Sequence, residues 1–187
     1  ALSVHDRAGN LVQSLTPGTR RGINRVVWNL RHAALPAPDP AGGEEQGGGA
    51  RPEPVPGPFV VPGQYVVRLL VDGRTHEQTV QVHDDPRLQV PATDRQRWTE
   101  TLLEIGGLYR QAAALAQTAK ARADAAPAGD QAAREELRVA RELQSRLLRL
   151  YRAVSGVTGP LTADQRSQLE YFRSFVTLID ARLKKAA

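Results

Sequence analysis

Alternating apolar and polar positions dominate the first 83 residues of the chain. Alternation of this kind predicts β-strands with one buried face. It occurs in six stretches: residues 2–5, 11–15, 23–31, 59–61, 64–71 and 74–83. Asp72-Gly73, between the last two stretches, is a strong signal for a two-residue hairpin turn. About six short strands with short hairpins, one long loop between two of them and no helix predict a small antiparallel β-sandwich of immunoglobulin-like type.

The stretch from Gly22 to Arg31 is expected to be the central strand of this sandwich. Its bulkier alternate side chains are expected to face the core: Val26, Trp28 and Leu30. The other alternate side chains are expected to face outward: Ile23, Arg25, Val27 and Asn29. A single tryptophan in such a strand is usually a core anchor, because its large apolar area is costly to expose. The predicted structural core residues of the whole chain are Trp28, Tyr65, Leu69 and Trp98.

After Pro91 the apolar spacing changes to alternating intervals of three and four residues, which predicts amphipathic helices. The first apolar seam comprises Trp98, Leu102, Ile105, Tyr109, Ala112, Ala116 and Ala119. The second comprises Leu137, Ala140, Leu143, Leu147, Leu150 and Val154, and the third Leu169, Phe172, Val176, Ile179 and Leu183. Thr93 with Gln96, and Thr162 with Gln165, match the capping box that starts a helix. Three such helices with short connectors predict an up-down-up antiparallel bundle.

The chain therefore divides into two predicted domains of an α+β protein. Residues 1–87 form the immunoglobulin-like sandwich, and residues 88–187 form the three-helix bundle. Asp85-Pro86 marks the boundary, because the residue before a proline disfavours helix. Within the first domain, residues 33–58 are rich in proline and glycine. This composition predicts a disordered loop.

The amino-acid composition indicates few chemical functions for this architecture. All but three of the 25 Lys and Arg residues are arginine, and the formal net charge is +5. The basic residues of the helices alternate with acids, which indicates a solvated surface rather than a nucleic-acid site. The chain has no cysteine, which excludes disulfides and thiolate sites. It has no methionine either, so we expect a piece of a longer polypeptide, and no stretch is long and apolar enough to predict a membrane span.

Candidate catalytic residues are few. The four histidines are dispersed, and His83-Asp84-Asp85 is the best local cluster. An Asp-rich strand end is usually a solvated turn, and no nucleophile motif or phosphate-binding glycine loop accompanies it. We therefore predict no catalytic, cofactor-binding or metal-binding residue, no cofactor and no enzyme activity. An enzyme would require His83, Asp84 and Asp85 to meet arginines in a cleft.

Three motifs in this order resemble a known protein family. The chain reads G-I-N-R-V-V-W-N-L-R from Gly22, P-G-Q-Y-V-V-R-L from Pro62 and D-D-P-R from Asp84. They resemble the immunoglobulin-like module of flagellar hook-capping type, and more closely the C-terminal region of exported bacterial sortilin-type proteins. Those proteins carry Asp-box (BNR) β-propellers and are often labelled glycosyl-hydrolase-like. Asn29 departs from the family pattern, which has Asp at this position.

The resemblance implies an accessory role outside the cytoplasm. We expect a secreted or periplasmic, non-catalytic interaction module, with any catalysis confined to a propeller domain. Its expected partner is the β-propeller domain of the same polypeptide or a partner protein, and nucleic acid is not expected. The alternative is a carbohydrate-binding module, which would need exposed aromatic rings on a sheet face; Trp28, Phe59 and Tyr65 are the candidates.

Overall fold

The computed structural model describes residues 1–38, 53–87, 89–127, 129–156 and 159–185. It contains a four-stranded antiparallel sheet followed by three helices, which confirms the mixed α+β class. The strands are β1 (Leu2–Asp6), β2 (Leu11–Leu15), β3 (Gly63–Val71) and β4 (Arg74–Val82). The helices are α1 (Ala92–Ala125), α2 (Gln131–Ser155) and α3 (Ala163–Lys185). The chain forms two compact units, one of Ala1–Ala34 with Pro56–Thr99 and the other of Leu35–Val55 with Glu100–Ala187.

The sheet has the strand order β2-β1-β3-β4, and two predicted hairpins supply its tight turns. In the β1–β2 turn, the Asp6 carboxylate accepts hydrogen bonds from the Asn10 backbone N–H at 2.8 Å and from Asn10 Nδ2 at 2.9 Å. In the β3–β4 turn, Asp72 and Gly73 both have positive φ, at 48° and 74°. This is the left-handed geometry that two-residue hairpins require, and Gly supplies it without steric cost.

The predicted central strand at 23–31 is wrong. Residues 23–30 belong to no strand, and Arg31 makes only an isolated bridge with Phe59, to which the predicted strand 59–61 is also reduced. Leu30 has a φ of 57°, in the left-handed region that a branched side chain rarely adopts. That conformation interrupts the extended backbone where strand pairing would have to continue. Among the described residues, the hydrogen-bonded strands form one sheet of four.

The core of the sheet unit includes five buried side chains: Val4, Val12, Val60, Tyr65 and Val82. Trp28 packs against them although it lies on no strand. Its ring meets the Tyr65 ring edge-on, with centroids 5.4 Å apart, and its Nε1–H donates to the Arg31 carbonyl at 3.0 Å. The Tyr65 hydroxyl donates to the Val61 carbonyl at 2.7 Å. Both polar groups on these rings are therefore satisfied while the rings cover the core.

Sequence-local signals start two of the three helices. Asp130 caps α2 by accepting a hydrogen bond from the Ala133 N–H at 3.1 Å. At α3, Thr162 Oγ1 accepts from the Gln165 N–H at 3.2 Å while Gln165 Oε1 accepts from the Thr162 N–H at 3.0 Å. This reciprocal pair confirms the predicted capping box. The corresponding prediction for α1 is wrong, because α1 begins at Ala92 and so places Thr93 inside its first turn.

The three predicted seams are buried almost throughout. Of their eighteen side chains only Trp98 and Leu137 are partly exposed. The structure adds a polar contact that the spacing did not predict. Gln144, itself buried, donates to the Tyr109 hydroxyl at 3.3 Å, and that hydroxyl donates to the Pro36 carbonyl at 3.1 Å. Burial raises the pKa of Tyr109, which keeps its hydroxyl protonated as the donor in this chain of hydrogen bonds.

The two ends of the segment 33–58 are ordered, contrary to the predicted disordered loop. Leu35 is 1% exposed and exchanges backbone hydrogen bonds with Val55 at 2.8 and 3.1 Å. Its Cδ2 lies 2.9 Å from where a Cβ on Gly106 of α1 would be. Gly106 has no side chain, and this leaves room for Leu35 to be buried against α1. Burial of the leucine side chain stabilises this end of the segment in its position. Residues 39–52 of the predicted loop lie outside the described residues.

Gly106 and Gly107 provide a matched test of the Leu35 contact. A methyl group at Gly107 meets nothing within 4 Å, so Gly107→Ala should raise the free energy of unfolding by about 0.5 to 1 kcal/mol through helix propensity alone. Gly106→Ala should not raise the free energy of unfolding in this way, because its methyl group collides with Leu35. Leu35→Ala should cost about 2 to 4 kcal/mol and should restore the gain from Gly106→Ala. Urea unfolding of the four variants measures the coupling, and equal effects of the two glycine substitutions would contradict the contact.

Trp28 provides the corresponding test in the sheet unit. Trp28→Ala should lower the free energy of unfolding by about 2 to 4 kcal/mol, because it exposes the face of Tyr65 and removes most of the cover over the valines. Trp28→Phe keeps a ring but removes the Nε1–H donor, so it should cost about 1 kcal/mol. Thermal and urea unfolding measure both changes. A Trp28→Ala variant as stable as the parent would contradict the anchoring role.

Candidate functional site

The cluster after β4 is an ion-paired turn. Asp84 pairs with Arg95 at 3.0 Å, and Asp85 forms a two-point pair with Arg87, in which Nε and Nη2 lie 2.9 and 2.6 Å from carboxylate oxygens. The Arg87 hydrogen bonds lower the pKa of Asp85 below its ordinary value. Each of the two carboxylates is therefore paired with an arginine. Within the described ranges no three His, Cys, Asp or Glu residues are grouped so as to hold a metal ion.

The aromatic rings of the sheet unit offer no open flat face. Tyr65 is 5% exposed, and Trp28 is partly buried with its ring against Tyr65. Phe59 is 49% exposed, but the Arg31 guanidinium carbon lies 3.6 Å from its ring centroid. Arg31 is held there by donating from Nη1 to the Gly57 carbonyl at 2.8 Å. A sugar ring would have to displace this cation–π pair to stack on Phe59.

The four predicted core residues are only partly brought together. Trp28 and Tyr65 meet in the core cluster. Leu69 lies on β3 opposite Leu2 of β1 and is partly buried outside that cluster. Trp98 lies near the start of α1 and is also partly buried.

The most exposed apolar side chains of the sheet unit lie in the segment that was predicted to be a strand. Ile23 is 104% exposed relative to a free reference residue, and Val27 is 71% exposed. Arg25 lies between them and is also exposed. Three exposed side chains, two of them apolar, thus lie within five residues of the chain. We call residues 20–27 the arginine segment.

Two anchors hold the arginine segment in place. At its start, Asn24 Nδ2 donates to the carbonyls of Arg20 at 2.9 Å and Gly22 at 3.2 Å, and Gly22 has a φ of 99°. Just beyond its end, Trp28 is inserted against the core. The segment is thus positioned by its neighbours' side chains rather than by a strand ladder.

The backbone between the two anchors is unpaired in the described part of the chain. No backbone hydrogen bond to another described residue is formed by Ile23, Arg25 or Val27. Backbone N–H and C=O groups that are exposed and outside a ladder can pair with a strand of another chain.

The charge of the arginine segment is not compensated by any acid that the structure describes. Arg20, Arg21 and Arg25 are exposed, and none pairs with an acid among the residues that the structure describes. Elsewhere in the same unit, Arg68 pairs with Glu77 at 2.6 Å. Three exposed guanidinium groups beside two exposed β-branched residues favour a partner that is acidic and partly apolar.

Sequence reasoning found these side chains but missed their importance. The alternation predicted that Ile23, Arg25 and Val27 face outward, and all three are exposed. Leu30 was predicted to face the core, and it is 42% exposed, so the alternation is only partly followed. The signal in the sequence was the presence of two β-branched residues on a face expected to meet solvent. Whether the backbone is paired could not be predicted, because alternation carries no information about hydrogen-bond partners.

Comparison with known proteins identifies no family for this chain. Searches against protein-family models, curated proteins and solved structures found no match to this chain. In the ranges that the structure covers, no helix has the length and apolar character needed to cross a membrane.

Proposed function

We propose that this chain is a non-catalytic accessory module that binds another protein through the arginine segment. The observation that carries the proposal is a combination in one stretch: exposed Ile23 and Val27, and backbone and three arginines that have no partner among the described residues. Such a segment recognises an extended strand by main-chain hydrogen bonds, with alternate side chains providing specificity.

The resemblance to sortilin-type propeller proteins supports a choice of partner. We propose that the strand comes from the β-propeller domain of the same polypeptide or of a partner protein, outside the cytoplasm. Propeller blades end in short antiparallel strands, and an outer strand offers the edge that strand addition needs. An acidic outer strand would complement the arginines.

We also propose a finer architecture for each unit. In the sheet unit, the segment that contains Trp28 acts as a second layer of a sandwich, which its packing on the core cluster supports. In the helical unit, the helices run up-down-up. Two side-chain contacts support an antiparallel arrangement of α1 and α2. Tyr109 contacts Gln144, and Arg122, further along α1, contacts Glu136, which comes earlier in α2, at 3.3 Å. Two contacts support a parallel arrangement of α1 and α3. Glu104 contacts Arg173, and Arg122, further along α1, contacts Leu183, further along α3.

The geometry favours protein binding over the carbohydrate-binding alternative. A sugar platform needs an accessible aromatic face. Of the three aromatic candidates, Tyr65 and Trp28 cover the core and Phe59 is capped by Arg31. Polysaccharide binding remains a distinct outcome of the experiment below.

The test uses short extended peptides as stand-ins for the partner strand. A nine-residue peptide alternating Val and Glu should bind the chain, and the same peptide with Lys in place of Glu should not. Replacing Arg20, Arg21 and Arg25 with Glu should weaken binding of the acidic peptide about tenfold or more, and Val27→Lys should also weaken it. Fluorescence anisotropy across a salt series measures both effects, with binding expected to weaken as salt rises.

The control reverses three other exposed arginines of the sheet unit that have no acidic partner among the described residues: Arg7, Arg74 and Arg97. It makes the same change in net charge, so it should leave specific binding largely intact. If the two triple variants lost acidic-peptide binding equally, the binding would be explained by non-specific charge attraction. Absence of acidic-peptide binding, with retention on soluble polysaccharides, would replace the proposal with the carbohydrate-binding alternative.

A further inference from the structure

A second exposed apolar surface lies on α3, outside the buried seam. Tyr171 is 54% exposed and Leu178 is 52% exposed, and Phe175 between them is partly buried. The rings of Tyr171 and Phe175 stack at 5.4 Å with an interplanar angle of 20°. We call Tyr171, Phe175 and Leu178 the α3 stripe.

The α3 stripe lies to one side of the buried seam of α3, although the Tyr171 ring also meets the Phe172 ring edge-on, with centroids 5.7 Å apart. Successive residues of a helix are about 100° apart, which places the stripe roughly 110° around the axis from the buried seam that contains Phe172 and Val176. The intervals of four and three residues in the stripe match the spacing that lets two helices pair along a seam. The stripe therefore has the form of a second helix-packing face.

Small residues flank the stripe on one side at seven-residue intervals. Ser167, Ser174 and Ala181 are all exposed. Ser174 already donates its hydroxyl proton to the Glu170 carbonyl at 3.3 Å, so it presents a small, satisfied side chain. Small side chains let two helix backbones approach closely where they cross.

The charges on this face are arranged end to end. Asp164 lies seven residues before Tyr171, and Lys185 lies seven residues after Leu178, with Arg182 one turn inside it. These three charges are exposed, and no ion-pair partner for them occurs in the described ranges. Neighbouring charged residues already form ion pairs: Arg173 pairs with Glu104 at 2.5 Å, and Lys184 pairs with Asp180 at 2.6 Å.

We propose that α3 pairs antiparallel with α3 of a second copy of this chain, about a two-fold axis near Ser174. That axis brings Tyr171 opposite Leu178 of the second copy and places the acidic start of each helix beside the basic end of the other. An isologous contact needs a self-complementary surface, and a stripe that is acidic at one end, apolar in the middle and basic at the other end is self-complementary only in the antiparallel arrangement. Antiparallel pairing also opposes the two helix dipoles.

The contact is small, so the dimer is weak. Three apolar side chains from each copy fall short of a standard interface, which indicates a dissociation constant on the order of 10 to 100 µM. This surface does not include the arginine segment, so the dimer would present two copies of that segment.

The first experiment is sedimentation equilibrium over a concentration series. The parent chain should show a monomer–dimer equilibrium, and Tyr171→Ser with Leu178→Ser should shift it at least tenfold toward monomer, with circular dichroism showing that the helices remain. The matched control is Ile23→Ser with Val27→Ser, which removes two exposed apolar side chains from the arginine segment and should leave the dimer unchanged. A parent chain that stays monomeric at 1 mM, or a dimer lost only in the control, would overturn the proposal.

The second experiment tests the antiparallel direction by charge exchange. Asp164→Lys makes both ends of the stripe basic, and Arg182→Glu with Lys185→Glu makes both ends acidic. Each variant alone should self-associate at least tenfold more weakly than the parent, and an equimolar mixture of the two should form a heterodimer at low salt. A mixture that forms no heterodimer, or variants that each dimerise alone as strongly as the parent, would exclude this pairing.

Discussion

The edge-on contact between Trp28 and Tyr65 determines how the sheet unit is completed. The sheet has four strands, and one of its faces needs cover that no fifth strand in the described residues supplies. Trp28 provides that cover from a segment outside the ladder, with its ring on Tyr65 and its N–H on the Arg31 carbonyl. Because the attachment is a side chain rather than a ladder, Ile23, Arg25 and Val27 form no backbone hydrogen bond with another described residue. The same contact therefore stabilises the core and creates the surface proposed to bind a partner.

The helical unit depends on a comparable insertion. Leu35 arrives from the proline- and glycine-rich segment and is buried at Gly106, while the Pro36 carbonyl accepts the Tyr109 hydroxyl. Tyr109 in turn accepts from Gln144 of α2, so one buried hydroxyl joins the segment and two helices. A buried hydroxyl and amide are stable here because each is hydrogen-bonded. An element that composition marks as loose thus contributes a fully buried side chain and a polar anchor.

The two proposed surfaces differ in physical character. The arginine segment combines unpaired backbone with charge of one sign, which suits a partner of opposite charge. The α3 stripe combines aromatic rings with opposite charges at its two ends, which suits a second copy of itself. Each surface presents apolar side chains that are more than half exposed: Ile23 and Val27 in the arginine segment, and Tyr171 and Leu178 in the α3 stripe.

The sequence by itself determined the elements whose stability is local. The helices follow from a spacing of three and four with capping residues such as Asp130 and Thr162, and the hairpin at Asp72-Gly73 follows from turn chemistry, because these features involve only neighbours in the chain. The outward direction of Ile23, Arg25 and Val27 also followed from alternation. Only the tertiary structure decided that residues 23–30 stay outside the sheet, that Leu35 is buried and that Tyr171 and Leu178 remain exposed. Each of these depends on which distant atoms are available to pair with the chain, such as Tyr65 for Trp28 and Gly106 for Leu35, and periodicity carries no information about those atoms.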